Sequence, residues 1–209
     1  MNYVIFSLLL AYVLGSIPTA YVFGKVLKGI DIREYGSGNV GATNVFRVMG
    51  KWPAIIVFII DFLKGFLAVT LVPLLMQKFF SVINPDRYDY VITFSGVAAI
   101  AGHIWTCFLK FKGGKGVATT AGVMIGIAPL IFVGGLIVWT AAFYSWRYVS
   151  LASLIAATSL PVFALFSGKG FPFVIFCCAL CIVGVYSHRE NIKRLIQGKE
   201  NKFVKGQKS

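Results

Sequence analysis

The sequence is poor in acidic side chains, with 7 Asp and Glu against 20 Lys and Arg. Four of the carboxylates lie in polar segments, at Asp31, Glu34, Glu190 and Glu200, and they do not form a cluster. Divalent cations need grouped oxygen ligands, so we predict no metal site. This argues against the CDP-alcohol class of phosphotransferases, which needs an acidic metal-binding cluster. We also expect no cofactor.

Cysteine is scarce as well, with four residues in the chain. Cys107 stands alone, while Cys177, Cys178 and Cys181 lie inside an apolar run. A zinc site needs four suitable ligands, and no fourth ligand is evident nearby. We therefore interpret the cysteines as packing residues.

Two familiar nucleotide-binding patterns are missing. The run Gly113-Gly114-Lys115-Gly116 has no Ser or Thr after its lysine and no upstream glycine, so it is not a Walker P-loop. No dinucleotide-type glycine pattern follows a predicted strand either. A ligand that carries phosphate without a nucleotide is the better interpretation.

The sequence is instead rich in apolar residues, at 58% hydrophobic with a mean hydropathy of +0.82. This composition indicates an integral membrane protein. The net charge of +13 could suggest nucleic acid. We attribute it to basic cytoplasmic loops, which follow the positive-inside bias, and to anionic ligands among membrane lipids, with no nucleic-acid partner.

Apolar runs predict the membrane spans. The first lacks the basic start and cleavage site of a signal peptide, so we interpret it as a span. The run Val117–Trp146 is too long for one ordinary span and contains Pro129, so it is either one kinked helix or two shorter ones. Two helices put nearly all Lys and Arg on one side, whereas one helix divides them almost equally. The positive-inside bias therefore favours two.

This choice predicts an all-α membrane protein with seven transmembrane helices, its N-terminus outside and its C-terminus cytoplasmic. Residues 1–209 then form a single multi-span domain. Three polar segments, residues 24–51, 110–116 and 187–209, face the cytoplasm, where we expect them to converge on one site.

The polar segments carry an inventory suited to phosphate. Residues 36–47 combine three glycines with Asn, Ser and Arg donors, and residues 110–116 are basic and glycine-rich. On one continuous helix, Ser187, Asn191 and Arg194 would share a face, with His188 beside it. A transporter of a phosphorylated small molecule is the alternative. It would place polar residues near the bilayer midplane, often in inverted repeats, which the sequence does not show.

The three polar segments resemble the signature motifs of one bacterial family. Gly36–Arg47 reads G-S-G-N-x-G-A-T-N-x-x-R, Gly102–Gly122 contains G-H and F-K-G-G-K-G-V-A-T, and His188–Glu200 reads H-R-x-N-I-x-R-L-x-x-G-x-E. On these motifs the chain is identified as a member of the acyl-phosphate-dependent glycerol-3-phosphate acyltransferases, the PlsY family. The similarity extends through residues 61–65 and 147–153. One departure is Thr106, where many relatives carry Pro.

The resemblance implies transfer of an acyl group from acyl phosphate to the 1-hydroxyl of sn-glycerol 3-phosphate. The products are lysophosphatidate and phosphate, and the reaction is the first step of phospholipid synthesis. It also implies a multi-pass protein of the bacterial cell membrane, with its active site on the cytoplasmic side and an upstream enzyme that forms acyl phosphate. The H-x4-D pair of other glycerophosphate acyltransferases is absent, since Phe108 and Lys193 lie five residues after the two histidines.

The expected site residues follow from the motifs. As catalytic residues we expect His188, Lys115 and Asn191. Substrate or phosphate binding is expected at ten positions: Ser37, Gly38, Asn39, Asn44, Arg47, Lys112, Gly113, Gly114, Ser153 and Arg194. Further candidates are His103, Lys64 and Ser150.

Roles within this set are hypotheses. Ser37, Arg47, Lys115, Asn191 and Arg194, with the N–H groups of Gly38 and Gly114, would hold the two phosphates. Ser153 and Asn39 would position the glycerol hydroxyl or the acyl carbonyl. His188 would orient substrate or act as general base, unless the donor phosphate itself accepts the proton. For Lys64 a structural ion pair with Asp61 is favoured, and for His103 a packing role.

Overall fold

A computed structural model gives the structure of the protein, and it describes residues 2–80 and 85–203. All regular structure in these ranges is helical. Ten α-helices follow one another among the described residues: α1 (Asn2–Ser16), α2 (Thr19–Lys28), α3 (Ala42–Met49), α4 (Lys51–Phe80), α5 (Pro85–Ile104), α6 (Val117–Ile127), α7 (Pro129–Trp146), α8 (Val149–Leu165), α9 (Phe171–Ser187) and α10 (Arg189–Ile196).

Several helices are long and apolar enough to cross a membrane. Among the described residues there are four, Tyr3–Lys28, Lys51–Phe79, Tyr88–Leu109 and Pro129–Trp146, or five if α9 and α10 form one bent span. The helices α6 and α8 are apolar but shorter. The protein is therefore an all-helical, multi-pass membrane protein.

The chain divides into two compact units, the first ending at Ile127 and the second beginning at Ala128. The boundary lies in the apolar run 117–146, which is indeed two helices. Ala128 leaves the helical conformation with φ −146° and ψ 73°, and Pro129 opens α7. Proline is favoured at this first position because a backbone N–H there has no acceptor within the helix, so nothing is lost when proline lacks it.

Segment 24–51, predicted as a loop, contains regular structure at both ends. The helix α2 continues to Lys28 and ends at Gly29, whose φ of +67° is the left-handed conformation of a helix C-terminus. The short helix α3 then occupies Ala42–Met49. The part that stays irregular runs between α2 and α3, apart from one 3₁₀ turn at Ile32–Glu34.

Two helix pairs of the first unit approach very closely. A Cβ atom added at Gly15 of α1 would collide with the Ala99 backbone of α5, and one at Gly102 of α5 would collide with the Tyr12 carbonyl. The helices α4 and α6 meet in the same way. Their glycines are Gly65, which faces the Thr119 carbonyl, and Gly122, which faces the Phe62 carbonyl. Small residues at such contacts let membrane helices pack backbone against backbone.

In the second unit α8 packs against both α7 and α9. The chain then bends by 60° between α9 and α10, and His188 lies at the bend. The expectation of one helical face for Ser187, Asn191 and Arg194 is therefore wrong for Ser187, which ends α9. Asn191 and Arg194 remain on α10. Residues 204–209 of the predicted C-terminal segment lie outside the described residues.

Candidate active site

Asn44 organises the first motif from the start of α3. Its side chain is buried, with 1% of the residue exposed. The amide donates from Nδ2 to the carbonyls of Ile32 and Tyr35, at 3.2 and 3.0 Å, and Oδ1 accepts from the Ser37 N–H at 2.7 Å. Expected as a phosphate ligand, Asn44 instead uses its amide to fix the backbone of the loop before α3.

The loop held by Asn44 carries the other predicted residues of this motif. Ser37 is exposed between Gly36 and Gly38, whose φ angles are +61° and +70°. At Gly36 a Cβ would collide with Asn44 Oδ1, so glycine is needed there for both conformation and space. Asn39 is half-buried. Arg47, also half-buried, lies in the last turn of α3.

The second motif is a loop that folds back on the end of α5. The N–H groups of Gly113 and Gly114 donate to the carbonyls of Ile104 and His103, at 2.9 and 3.0 Å. Gly114 also lies against the His103 imidazole, because a Cβ there would collide with Nε2. Lys112 is exposed, and Lys115 is half-buried just before α6.

These contacts bear on one expectation from the sequence. The N–H groups of Gly38 and Gly114 were expected to bind phosphate, and Gly113 was placed in the same set. Gly38 N–H donates to the Tyr35 carbonyl at 3.0 Å, so all three N–H groups are paired with backbone carbonyls. In this structure these three N–H groups hold the loops in shape.

A buried polar cluster lies next to the second motif and consists of Thr19, Asp61, Lys64 and His103. Lys64 Nζ is 2.8 Å from Asp61 Oδ1, and both side chains are 3% exposed. Thr19 donates to the same carboxylate oxygen at 2.9 Å, and Lys64 also donates to the Ile17 carbonyl at 3.1 Å. The ion pair favoured for Lys64 is therefore present. His103 is buried too, in keeping with a packing role.

In the second unit His188 is buried at the bend between α9 and α10. Its Nδ1 is 2.8 Å from the Gly184 carbonyl oxygen. A carbonyl can only accept, so Nδ1 carries a proton, and in the neutral form of the ring the lone pair lies on Nε2. Such a ring can accept a proton or a hydrogen bond at Nε2.

Three predicted residues meet at a carboxylate that the prediction omitted. Glu200 Oε1 accepts from Asn191 Nδ2 at 2.9 Å and from Ser150 Oγ at 3.1 Å. Its Oε2 accepts from Arg194 Nε at 2.9 Å. Burial by itself raises the pKa of Glu200, but these hydrogen bonds outweigh it and hold the pKa below its usual value. The sequence feature that could have identified Glu200 is its position as the last residue of the third motif.

Ser153 is not part of the Glu200 cluster. Its hydroxyl donates to the Val149 carbonyl at 2.8 Å, one turn back along α8, and accepts from Trp139 Nε1 at 3.1 Å. Expected to position substrate, Ser153 instead links α8 to α7 with its hydroxyl.

The family assignment completes this picture. The sequence model of the family described as glycerol-3-phosphate acyltransferase matches residues 5–198. The chain belongs to this family. The glycerol-3-phosphate acyltransferase 2 of Moorella thermoacetica is 42% identical over 197 residues, covering 94% of this chain and 96% of the relative.

Solved structures agree with the glycerol-3-phosphate acyltransferase assignment. A crystal structure of PlsY (YgiH), described as an integral membrane glycerol 3-phosphate acyltransferase in its glycerol 3-phosphate form, superposes with a TM-score of 0.84 at 41% identity. The match covers 96% of each chain. The lysophosphatidic acid form gives a TM-score of 0.81 at the same identity, covering 96% of this chain and 95% of that one. The prediction of a membrane enzyme of this family is therefore confirmed.

Proposed function

We propose that this member of the family transfers a fatty acyl group from acyl phosphate to the 1-hydroxyl of sn-glycerol 3-phosphate. The hydroxyl oxygen attacks the acyl carbonyl carbon, the bond from that carbon to the phosphate oxygen breaks, and inorganic phosphate leaves. The products are lysophosphatidate and phosphate. The relatives support the acceptor and the product, because solved structures are described in glycerol 3-phosphate and lysophosphatidic acid forms.

The observation that carries the proposal is the set of polar side chains that the motifs fix in place. Glu200 orients the Asn191 amide and the Arg194 guanidinium with one carboxylate. The Gly184 carbonyl fixes a proton on His188 Nδ1, so Nε2 is the nitrogen of the neutral ring that can accept a proton. Arg47 and Lys115 lie in the other two motifs and add positive charge. Acyl phosphate is already activated, so positioning and charge stabilisation supply most of what the reaction needs.

Within this proposal His188 Nε2 accepts the proton of the attacking hydroxyl, and Asn191 and Lys115 stabilise the transition state. Arg47, Arg194, Ser37, Asn39 and Lys112 hold the substrate phosphates or the glycerol. We expect His188→Ala to lower kcat by about 10²–10⁴. A loss confined to KM would instead assign the ring to binding and leave the proton to the donor phosphate.

The donor is tested with purified protein in lipid, glycerol 3-phosphate and either palmitoyl phosphate or palmitoyl-CoA. We expect lysophosphatidate and phosphate from acyl phosphate alone, unaffected by EDTA. Arg194→Ala should abolish turnover. Its matched control is Lys193→Ala, which removes a neighbouring cation of α10 that pairs with exposed Glu190. No product from either donor overturns the proposal, and vesicle uptake of glycerol 3-phosphate would then favour a transporter.

The proposal includes seven spans, with the N-terminus outside and the active site on the cytoplasmic side of the bacterial cell membrane. The charge distribution supports this topology, since the three motif segments carry most of the Lys and Arg. An upstream enzyme then supplies acyl phosphate from the cytoplasm. Single cysteines placed at Lys112 and at Lys169 in a cysteine-free variant should react with an impermeant maleimide from opposite sides of the membrane. Labelling of both from the same side overturns the topology.

A further inference from the structure

A small pocket in the first unit lies between the break in the first span and the second motif. Ser16 and the break at Pro18 line one wall, Lys64 and His103 another, and Gly114 closes it from the glycine-rich loop. Val40 of the first motif also lines it. The pocket is therefore bordered by parts of both loops that carry expected site residues.

Three polar groups in this pocket have hydrogen-bonding capacity that the described residues do not use. Ser16 is fully buried, and its Oγ has no hydrogen-bond partner among the described residues. The Lys64 ammonium has three N–H bonds, and Asp61 and Ile17 account for two. The His103 ring contributes no hydrogen bond within the described chain, since Nδ1 is 3.8 Å from Asp61 Oδ1. Buried polar groups are normally hydrogen-bonded, either to the protein or to ordered water.

The charge and the volume of the pocket restrict which ligand can bind these three groups. Asp61 already balances the charge of Lys64, so the pocket does not call for a second anion. A neutral ligand that both donates and accepts hydrogen bonds fits the three groups. The pocket has room for about one water molecule, and buried waters bind two to four polar partners.

We propose that this pocket binds one water molecule, which accepts from Lys64 Nζ, bonds with Ser16 Oγ and faces the His103 ring. The water links Ser16, at the break between α1 and α2, to His103, which lies against Gly114 of the glycine-rich loop. Thr106 reinforces this connection, because its hydroxyl donates to the Ser16 carbonyl at 2.6 Å.

The bound water gives Ser16 a positioning role, which rests on the proposed function. The His103 ring lies against Gly114, and the Gly114 N–H donates to the His103 carbonyl. Lys115 follows Gly114 in the chain. A change that lets His103 shift therefore shifts the loop that presents Lys115.

The water site itself is tested by a crystal structure of the wild-type protein at a resolution that shows ordered water, with and without glycerol 3-phosphate. We expect one water within about 3.2 Å of both Lys64 Nζ and Ser16 Oγ in each state. A direct contact between Ser16 and Lys64, an unfilled pocket, or a phosphate oxygen at this position overturns the proposal. This result does not depend on whether the protein transfers acyl groups.

The positioning role is tested with Ser16→Ala and Ser7→Ala. Both serines are fully buried on α1 and lack a hydrogen-bond partner in the described chain, but Ser7 does not line the pocket. We expect Ser16→Ala to lower kcat about tenfold through loop misplacement, with thermal stability like that of Ser7→Ala. Ser7→Ala should keep wild-type kcat. Equal kcat in the two variants overturns the positioning role and leaves the water site to the crystal structure.

Discussion

The two units each rely on one buried polar side chain, and the two side chains act in opposite ways. In the first unit Asn44, a neutral amide, holds three backbone groups of a loop. In the second unit Glu200, a carboxylate, holds three side chains and, within the described part of the chain, no backbone group. One residue therefore fixes the path of the chain, and the other fixes the direction of functional groups.

The two side chains therefore respond differently to pH, because the Asn44 amide is neutral and the Glu200 carboxylate is charged. An amide has no titration near neutral pH, so the loop before α3 keeps its form over a wide range. The carboxylate of Glu200 offsets part of the charge of Arg194. It accepts from Nε–H, and under the proposed function the terminal N–H groups of the guanidinium bind the substrate phosphate.

The largest effect is expected from Asn44→Ala. The substitution removes three hydrogen bonds of a buried amide and takes away the acceptor of the Ser37 N–H, so we expect the free energy of unfolding to fall by about 2–4 kcal/mol. Thermal unfolding in detergent, together with acyl transfer in lipid, measures the loss. Thr43→Ala is the control one residue earlier on α3 and should change stability little. If Asn44→Ala unfolds like the control, the loop does not depend on this amide.

Glu200→Gln should have a smaller effect on stability, roughly 1.5 kcal/mol, and a clear effect on turnover. The new amide can still accept at Oε1, but its NH2 group then points at the Arg194 Nε–H, so donor faces donor. We expect kcat/KM for glycerol 3-phosphate to fall while the first unit keeps its structure. Full activity in this variant would show that Arg194 and Asn191 do not need the carboxylate.

The same residue predicts a dependence on pH that Asn44 lacks. The folded-state pKa of Glu200 lies below the usual value of 4.5. Its contribution to stability is therefore complete above pH 4.5 and is lost as the pH falls through the lowered pKa. The difference in Tm between wild type and Glu200→Gln should be constant from pH 8 to pH 5.5 and shrink below pH 4.5. A difference that grows on acidification contradicts the assignment.

The smallest effect is expected at the surface of α10. Lys193 pairs with Glu190 at 3.3 Å, but both side chains are more than half exposed. Exposed pairs of this kind contribute about 0.2–1 kcal/mol at most, so Lys193→Ala should leave Tm and kcat nearly unchanged. Comparison with Arg194→Ala, one residue along the same helix, isolates the role of the buried partner. If both variants lost the same kcat, the effect of Arg194 would come from the positive charge of α10 in general and not from its contact with Glu200.

Much of the fold could be predicted because it depends on local signals. Pro129 inside an over-long apolar run left one kinked helix or two, and the distribution of Lys and Arg along the chain then predicted the separation of α6 from α7. Charge pairing at i, i+3 predicted the Asp61–Lys64 contact from neighbouring residues alone. The bend at His188 was missed because nothing in the spacing of Ser187, Asn191 and Arg194 distinguishes one helix from two.

The candidate site was predicted by residue type but not by partner. Asn44 and Ser153 have the donors of a binding residue, yet tertiary contacts engage their polar groups within the chain. The glycine N–H groups are paired for the same reason. Glu200 was omitted because an acid is an unexpected neighbour in a phosphate site. Its role depends on three residues that only the fold brings to it.

The glycine contacts of the first unit limit where a lipid chain can enter. At Gly15, Gly102, Gly65 and Gly122 the facing backbones touch without an intervening side chain. Parting either pair would lose the close van der Waals packing between the two backbones. Each pair therefore behaves as one stiff body. Any lateral gate for an acyl tail in this unit must open along helix surfaces that are lined by larger side chains.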